Sequence, residues 1–266
     1  TFTRFVAGIK GTVAGWDIDS ALLYSQNKVS NDLNGYLQRD VAFALLNPTA
    51  ANVAAASLNP AYAALPAGSL WRIAENAGLN SPALYAALSP RISNDARTHI
   101  AQIDFKASRE VAKLDGGGLG VAVGAEFRHE STELKPTTGT ERGNIIGLGY
   151  SAYKGSRNAS ALYAEVLAPV LKNVELSGAL RADHFTDVGN SYTPKVGVKW
   201  TPLRELALRG TFAKGFRAPS AAENGVGGLA AFSTASDPLR CALGVEVACD
   251  PASIAVITSP NPKLSP

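Results

Sequence analysis

Charge is scarce in this chain. Asp, Glu, Lys and Arg make up 18% of its 266 residues, against roughly a quarter in ordinary soluble domains, so its surface is poor in charge although the apolar fraction of 46% is ordinary. Long hydrophobic runs are also missing. Stretches such as Val41 to Leu46 fall far short of the roughly 18 to 20 residues a membrane helix needs, which excludes helical membrane spans. No run of lysine and arginine accompanies the net charge of +3, so no nucleic-acid partner is expected. Thr1 to Ala14 lacks a charged segment followed by an apolar one. Either a secretion signal was removed or the chain is an internal piece. G-x-S-x-G, H-E-x-x-H and Walker sequences are absent, and no catalytic residue, cofactor or enzymatic role is expected.

What the chain does have is alternation. Between Val174 and Ser220 three successive segments are apolar on every second residue. Val174, Leu176, Gly178, Leu180 and Ala182 share one face, and Glu175, Ser177, Ala179, Arg181 and Asp183 the other, as a side-chain period of two requires. Val196, Val198 and Trp200 oppose Thr193, Lys195, Gly197 and Lys199; Leu206, Leu208 and Phe212 oppose Glu205, Arg209 and Thr211. A polar turn at Asp187, Gly189 and Asn190 and a tight connection at Pro202 make these an antiparallel meander. In a membrane barrel such alternation averages hydropathy towards zero, which suits a mean hydropathy of +0.02.

Extended backwards, the pattern gives about eight strands, with connections that are short and long in turn. Strands near Arg4 to Lys10 and Trp16 to Ser25 are followed by a long loop over about 26–95. The pair His99 to Ser108 and Leu119 to Glu130 turns at Asp115-Gly116-Gly117-Gly118 and is followed by a loop over 131–157. Asn158 to Pro169 turns at Leu171-Lys172-Asn173, and after Phe212 the tail, 217–266, does not alternate. Outer-membrane barrels have this asymmetry of rims. Trp16, Tyr24, Phe127 and Trp200 fall near the expected strand ends, as interfacial aromatics do. In the first long loop an alanine-rich stretch, Ala42 to Ala64, and helical spacing over Leu70 to Leu88 predict short helices, divided by Pro48, Pro60, Pro66, Pro82 and Pro90.

Candidate chemistry is thin. Cys241 and Cys249, with seven residues between them, are close enough for a small disulfide ring in an oxidising compartment, and an exported location favours that pairing over two free thiols. His99, His129 and His184 are isolated in sequence, which fits rim or loop packing better than a metal triad. Gly116-Gly117-Gly118-Leu119-Gly120 leads into a strand, not a helix, and so is a hairpin turn and no phosphate cradle. Asn158-Ala159-Ser160 is only formally a glycosylation sequon. Asp17, Asp19, Asp104, Lys106, Glu126, Arg128, Arg181, Asp183, Lys195, Lys199 and Arg209 fall on the wet face, where paired charges are structural; no one of them is singled out as a ligand contact.

The segment Phe212-Ala213-Lys214-Gly215-Phe216-Arg217-Ala218-Pro219-Ser220 resembles the G-F-R-A-P-S signature of TonB-dependent outer-membrane receptors. Arg181-Ala182-Asp183-His184-Phe185, Pro194-Lys195-Val196-Gly197 and Asn261-Pro262-Lys263-Leu264-Ser265-Pro266 are similar to family segments on either side, as are Leu119 to Arg128 and Trp16 to Asn34. The resemblance implies an all-β, antiparallel transmembrane barrel of roughly 22 strands, of which this chain is a portion, with long extracellular loops over about 26–95, 131–157 and 217–266 and with plug and C-terminal strands outside it. It further implies a Gram-negative outer membrane, lipid around the wall, coupling to TonB-ExbB-ExbD through the plug, and active uptake of a siderophore-bound iron, a cobalamin-like compound or an oligosaccharide. A passive porin or adhesin is the alternative, and a soluble β-rich enzyme or binding module a third reading.

Overall fold

The computed structural model describes residues 1–264. Eight strands follow one another across a single antiparallel sheet: β1 (Phe2–Val13), β2 (Trp16–Leu33), β3 (Ile92–Leu114), β4 (Gly117–Leu134), β5 (Tyr150–Leu171), β6 (Val174–Phe185), β7 (Gly189–Leu203) and β8 (Leu206–Ala213). Sequential order with antiparallel pairing is the meander of a barrel wall. The sheet is open, with β1 and β8 at its ends among the described residues.

Register carries the sequence pattern intact across the sheet. Leu22 pairs with Ile103 and Ile103 with Phe127, while Leu162, Leu180 and Val196 continue the same face through β5, β6 and β7. That face is bare: Leu162 is 67% and Phe212 70% exposed, where a soluble domain would cover such residues. Across the apolar band the charges lie on the opposite face. There Gly124 pairs with Tyr163, whose ring lies where a side chain on residue 124 would stand; glycine is needed at this point for the aromatic ring to lie flat on the wall.

One rim is built from two-residue turns. Ala14 and Gly15 both have positive φ, 51° and 77°, the left-handed pair that matches hairpin twist, and the β3–β4, β5–β6 and β7–β8 turns are equally short. The opposite rim carries the loops, and here the boundaries shift. The loops are 34–91 and 135–149 in place of 26–95 and 131–157, because β2 to β5 run several residues past the apolar band. Tyr24 and Phe127 therefore sit inside strands, not at their ends. Pro202 lies within the irregular end of β7, ahead of the turn at Arg204 and Glu205. The β6–β7 connection, Thr186 to Val188, is short although it lies on the long-loop side.

The tail is also more ordered than its lack of alternation predicts. It contains β9 (Val226–Ala235) and β10 (Ala252–Thr258), which pair with each other, and β9 also pairs with the start of β5. Because β6 ends at Phe185 opposite Ala159, the edge of β5 from Tyr150 to Lys154 would be unpaired; β9 covers it. Ser265 and Pro266, the end of the Asn261 motif, lie outside the described residues.

In the first long loop the helices are α1 (Arg39–Leu46), α2 (Ala50–Ala56), α3 (Pro60–Ala63) and α4 (Pro82–Leu88). Thr49, Asn59 and Ser81 cap α2, α3 and α4 with side-chain oxygens, and Pro60 and Pro82 open their helices, so these two prolines start helices as well as separating them. Val41, Ala42, Leu45, Leu84, Ala87 and Leu88 form a small core of their own. Asn144 joins this lobe to the next loop, its backbone oxygen accepting from Arg39 N at 3.0 Å and its side-chain oxygen from Asp40 N at 3.0 Å.

Candidate functional site at the long-loop rim

On the polar face a continuous chain of ion pairs climbs from mid-wall to the rim. Arg181 lies 2.9 Å from Asp183 and 3.3 Å from Glu126; Arg128 lies 3.2 Å from both Glu126 and Glu130. Arg157 then bonds Glu130 and lies 3.6 Å from Asp187. Glu126, Arg128, Arg181 and Asp183 are inward as their alternation predicts. Arg157, expected in a loop, is an inward residue of β5, and Asp187, expected only as a turn residue, closes the ladder.

Arg157 is also where the signature segment docks. Its guanidinium donates to the Pro219 carbonyl at 2.7 Å and stands 5.3 Å from the centre of the Phe185 ring. Phe216 lies 5.5 Å from Phe185, and with Ala218 it packs on the buried cluster of Ala159, Phe185 and Val188. Gly215 is exposed with open space around it. Ser220 leads into α5 (Ala221–Asn224), and Asn224 donates to Asp187 at 2.8 Å. The chain leaving β8 is thus folded back onto the inner rim of β5 and β6.

Arg217 and Glu223 secure the outer side of this fold. Arg217 donates to Glu223 at 2.7 and 3.0 Å, while Glu223 also accepts from the Ser220 amide at 2.7 Å and the Ser220 hydroxyl at 2.9 Å. These bonds, with that from Arg217 foremost, pull the Glu223 carboxyl down to about 2 from 4.5. A depressed carboxyl stabilises the fold above its ordinary value, and that contribution is lost as pH falls through the folded value. Amide exchange at Ser220 to Asn224, corrected for intrinsic rate, is expected to stay level above pH 4.5 and to quicken between 4.5 and about 2. Glu223→Gln should remove the step; the same step in that variant would place its origin elsewhere.

Between the docked segment and the wall lies a cavity of about 560 Å³, lined among others by Thr98, Glu130, Thr132, Arg157, Ser220 and Asn224. Pro262 also reaches it, and Asn261 N bonds the Glu223 carbonyl at 2.7 Å, so the downstream motif meets the signature here. Among the described residues no cluster of His, Cys, Asp and Glu has the arrangement of a metal site. The histidines sit on the apolar face: His99 lies 5.1 Å from Tyr24 and 5.9 Å from His129, ring centre to ring centre. Their wide spacing in sequence hid this grouping, although His99 and His129 both follow the alternation of the apolar face.

The sulfur atoms of Cys241 and Cys249 stand at bonding distance, 2.11 Å, with Cα atoms 4.9 Å apart. Cys241 lies near the end of α6 (Pro238–Ala242), and the segment between the two sulfurs holds the end of that helix and a following turn, between β9 and β10.

A strand meander bare and apolar outside, salt-bridged inside, and looped at one rim defines the wall of a transmembrane β-barrel. The family described as TonB dependent receptor-like, beta-barrel, matches residues 3–266, and the chain belongs to it. Members of that family are receptors and transporters of the outer membrane. The fold is similar to that of the ferric enterobactin receptor PfeA, with TM-score 0.58 at 13% identity over 99% of this chain and 30% of that one. A PfeA structure from Pseudomonas aeruginosa gives 0.54 at 14% identity and the siderophore receptor PirA from Acinetobacter baumannii 0.55 at 12%, again over 99% of this chain and 30% of each of those. The chain thus spans about a third of the length of these receptors. No curated protein sequence matches it.

Proposed function

We propose that this chain is a stretch of wall and long-loop rim from a Gram-negative outer-membrane receptor that imports a scarce, bulky nutrient by TonB-coupled transport. A ferric siderophore is the first candidate cargo, because the similar structures are siderophore receptors by their descriptions; a cobalamin-like compound or an oligosaccharide comes next. The observation that carries the reading is the two-faced wall together with the family match over nearly the whole chain. Lipid surrounds the apolar face. The plug that meets TonB-ExbB-ExbD and the strands that close the barrel belong to parts of the protein outside this chain, since the ten strands among the described residues have open edges, with backbone groups that a membrane cannot satisfy.

The test is uptake by cells carrying the full-length protein. Labelled ferric siderophores offered under iron limitation are expected to accumulate, and a protonophore or loss of TonB should abolish accumulation. Accumulation that persists without energy would make the protein a passive porin, and absence of the protein from the outer membrane would end the barrel reading.

In the exported protein Cys241 and Cys249 form a loop-closing disulfide on this reading. A maleimide is expected to label the denatured protein only after reduction. Labelling without reductant would show free thiols.

A further inference from the structure

The cavity between the docked segment and the wall, about 560 Å³, has the size of an ordinary ligand pocket. The charges that line it are already satisfied. Arg157 is held by Glu130 and Asp187, and Lys154 lies 3.5 Å from Glu133. Its neutral groups are not. Thr98 on β3 and Thr132 on β4 stand directly opposite each other on the inward face. The lining side chains that hydrogen-bond within the protein are those of Arg157, Ser220, Asn224 and their carboxylate partners; among the described residues neither threonine hydroxyl has a partner. On α5, Asn224 directs its amide nitrogen to Asp187, which leaves its side-chain oxygen open. The one buried side-chain nitrogen or oxygen without a partner among the described residues is Arg128 Nε. The two hydroxyls and the Asn224 oxygen are therefore not stranded in packed protein but face open space.

This pattern selects the charge and polarity of an occupant. To pair with Arg157 an anion must displace Glu130 or Asp187, and a cation finds both carboxylates engaged by that same arginine. An apolar molecule would strip water from the threonine hydroxyls and leave them unpaired, at about 1 to 3 kcal/mol each. A neutral molecule carrying several hydroxyls meets neither obstacle. Each threonine hydroxyl can donate to it and accept from it, and the Asn224 oxygen can accept. Ile100, Ala221, Val226 and Pro262 supply apolar surface for its C–H faces. Sugars and polyols have this mixed surface.

We infer that this cavity binds a small, neutral, hydroxyl-rich compound of mono- or disaccharide size, which bridges Thr98 and Thr132 on the wall to Asn224 on α5. The site goes beyond the uptake reading: it needs the folded rim and holds for any cargo. Full-length receptor, in a detergent without sugar headgroups, is to be offered glucose, trehalose and sucrose, with glucuronate and glucosamine as charged counterparts, and binding followed by saturation-transfer NMR. Transfer is expected from a neutral sugar in preference to the charged pair. Because opening of the segment releases it, that sugar at ten times its Kd should slow amide exchange over Ser220 to Asn224 about tenfold. Thr98→Val with Thr132→Val keeps shape and strand preference and should weaken binding roughly twentyfold, about fivefold for each hydroxyl. Thr132→Ser, which keeps the hydroxyl, should bind nearly as the wild type does. No transfer from any of the three neutral sugars would overturn the site. So would wild-type affinity in the double valine variant, tighter binding of glucuronate or glucosamine, exchange at Ser220 to Asn224 that ignores the sugar, or equal loss of binding in Thr132→Ser. Loss of siderophore uptake with sugar binding intact would sink the transport reading alone.

Discussion

Arginine in place of Leu180 is expected to cost about 2 to 4 kcal/mol of barrel stability, while arginine in place of its neighbour Ala179 is tolerated. Leu180 stands at the centre of the apolar run Leu176, Gly178, Leu180, Ala182, is 52% exposed, and lies between Ala164 and Pro194 on the neighbouring strands. A guanidinium there enters hydrocarbon with no partner. Ala179 points the other way, between Glu165 and Lys195, where an added arginine meets water and a carboxylate. The fraction of full-length protein that reaches the outer membrane as a heat-modifiable barrel is the measurement. Equal assembly of the two variants would overturn the assignment of faces.

Arg157→Ala is expected to release the signature segment from the rim without disturbing the wall below. Its guanidinium serves Glu130, Asp187, the Pro219 carbonyl and the Phe185 ring at once, and the side chain is only 14% exposed. Its removal leaves two carboxylates and a carbonyl short of a donor, a loss of about 2 to 3 kcal/mol by the usual worth of bonds to charged groups. Amide exchange across Gly215 to Asn224 should therefore quicken roughly thirtyfold or more at constant pH, with the β3–β4 and β4–β5 amides unchanged. Arg157→Lys should recover only part of this, since a single ammonium cannot span Glu130 and Pro219 as a fork does. Unchanged exchange in the segment would show that Phe216 and Ala218 hold it alone.

The faces of the wall were legible because strand periodicity is two and a slip of one residue would invert every side chain; the outward set on β4, β6, β7 and β8 is the set the alternation marks. The strand ends were not legible. Beyond the apolar band both faces carry polar side chains, so Asn27 to Leu33 and Thr132 to Leu134 show little contrast, yet hydrogen bonding extends the strands through them. β9 was invisible for another reason: its cause is the unpaired edge of β5, a tertiary fact, and its Val226-Gly227-Gly228 start has weak strand preference. Two-residue spacing within Glu126, Arg128 and Glu130, and within Arg181 and Asp183, hinted at the rim ladder. Its links across strands depend on register, which no single strand discloses.

That ladder sets what the polar face of the wall offers to an approaching anion. Each of its three guanidiniums, on Arg128, Arg157 and Arg181, is already bracketed by two carboxylates. An anion that approaches this ladder meets guanidiniums already flanked by negative charge, and to pair closely with one it must displace a resident carboxylate. The three arginines therefore act as internal bracing between neighbouring strands, with their charge spent within the wall.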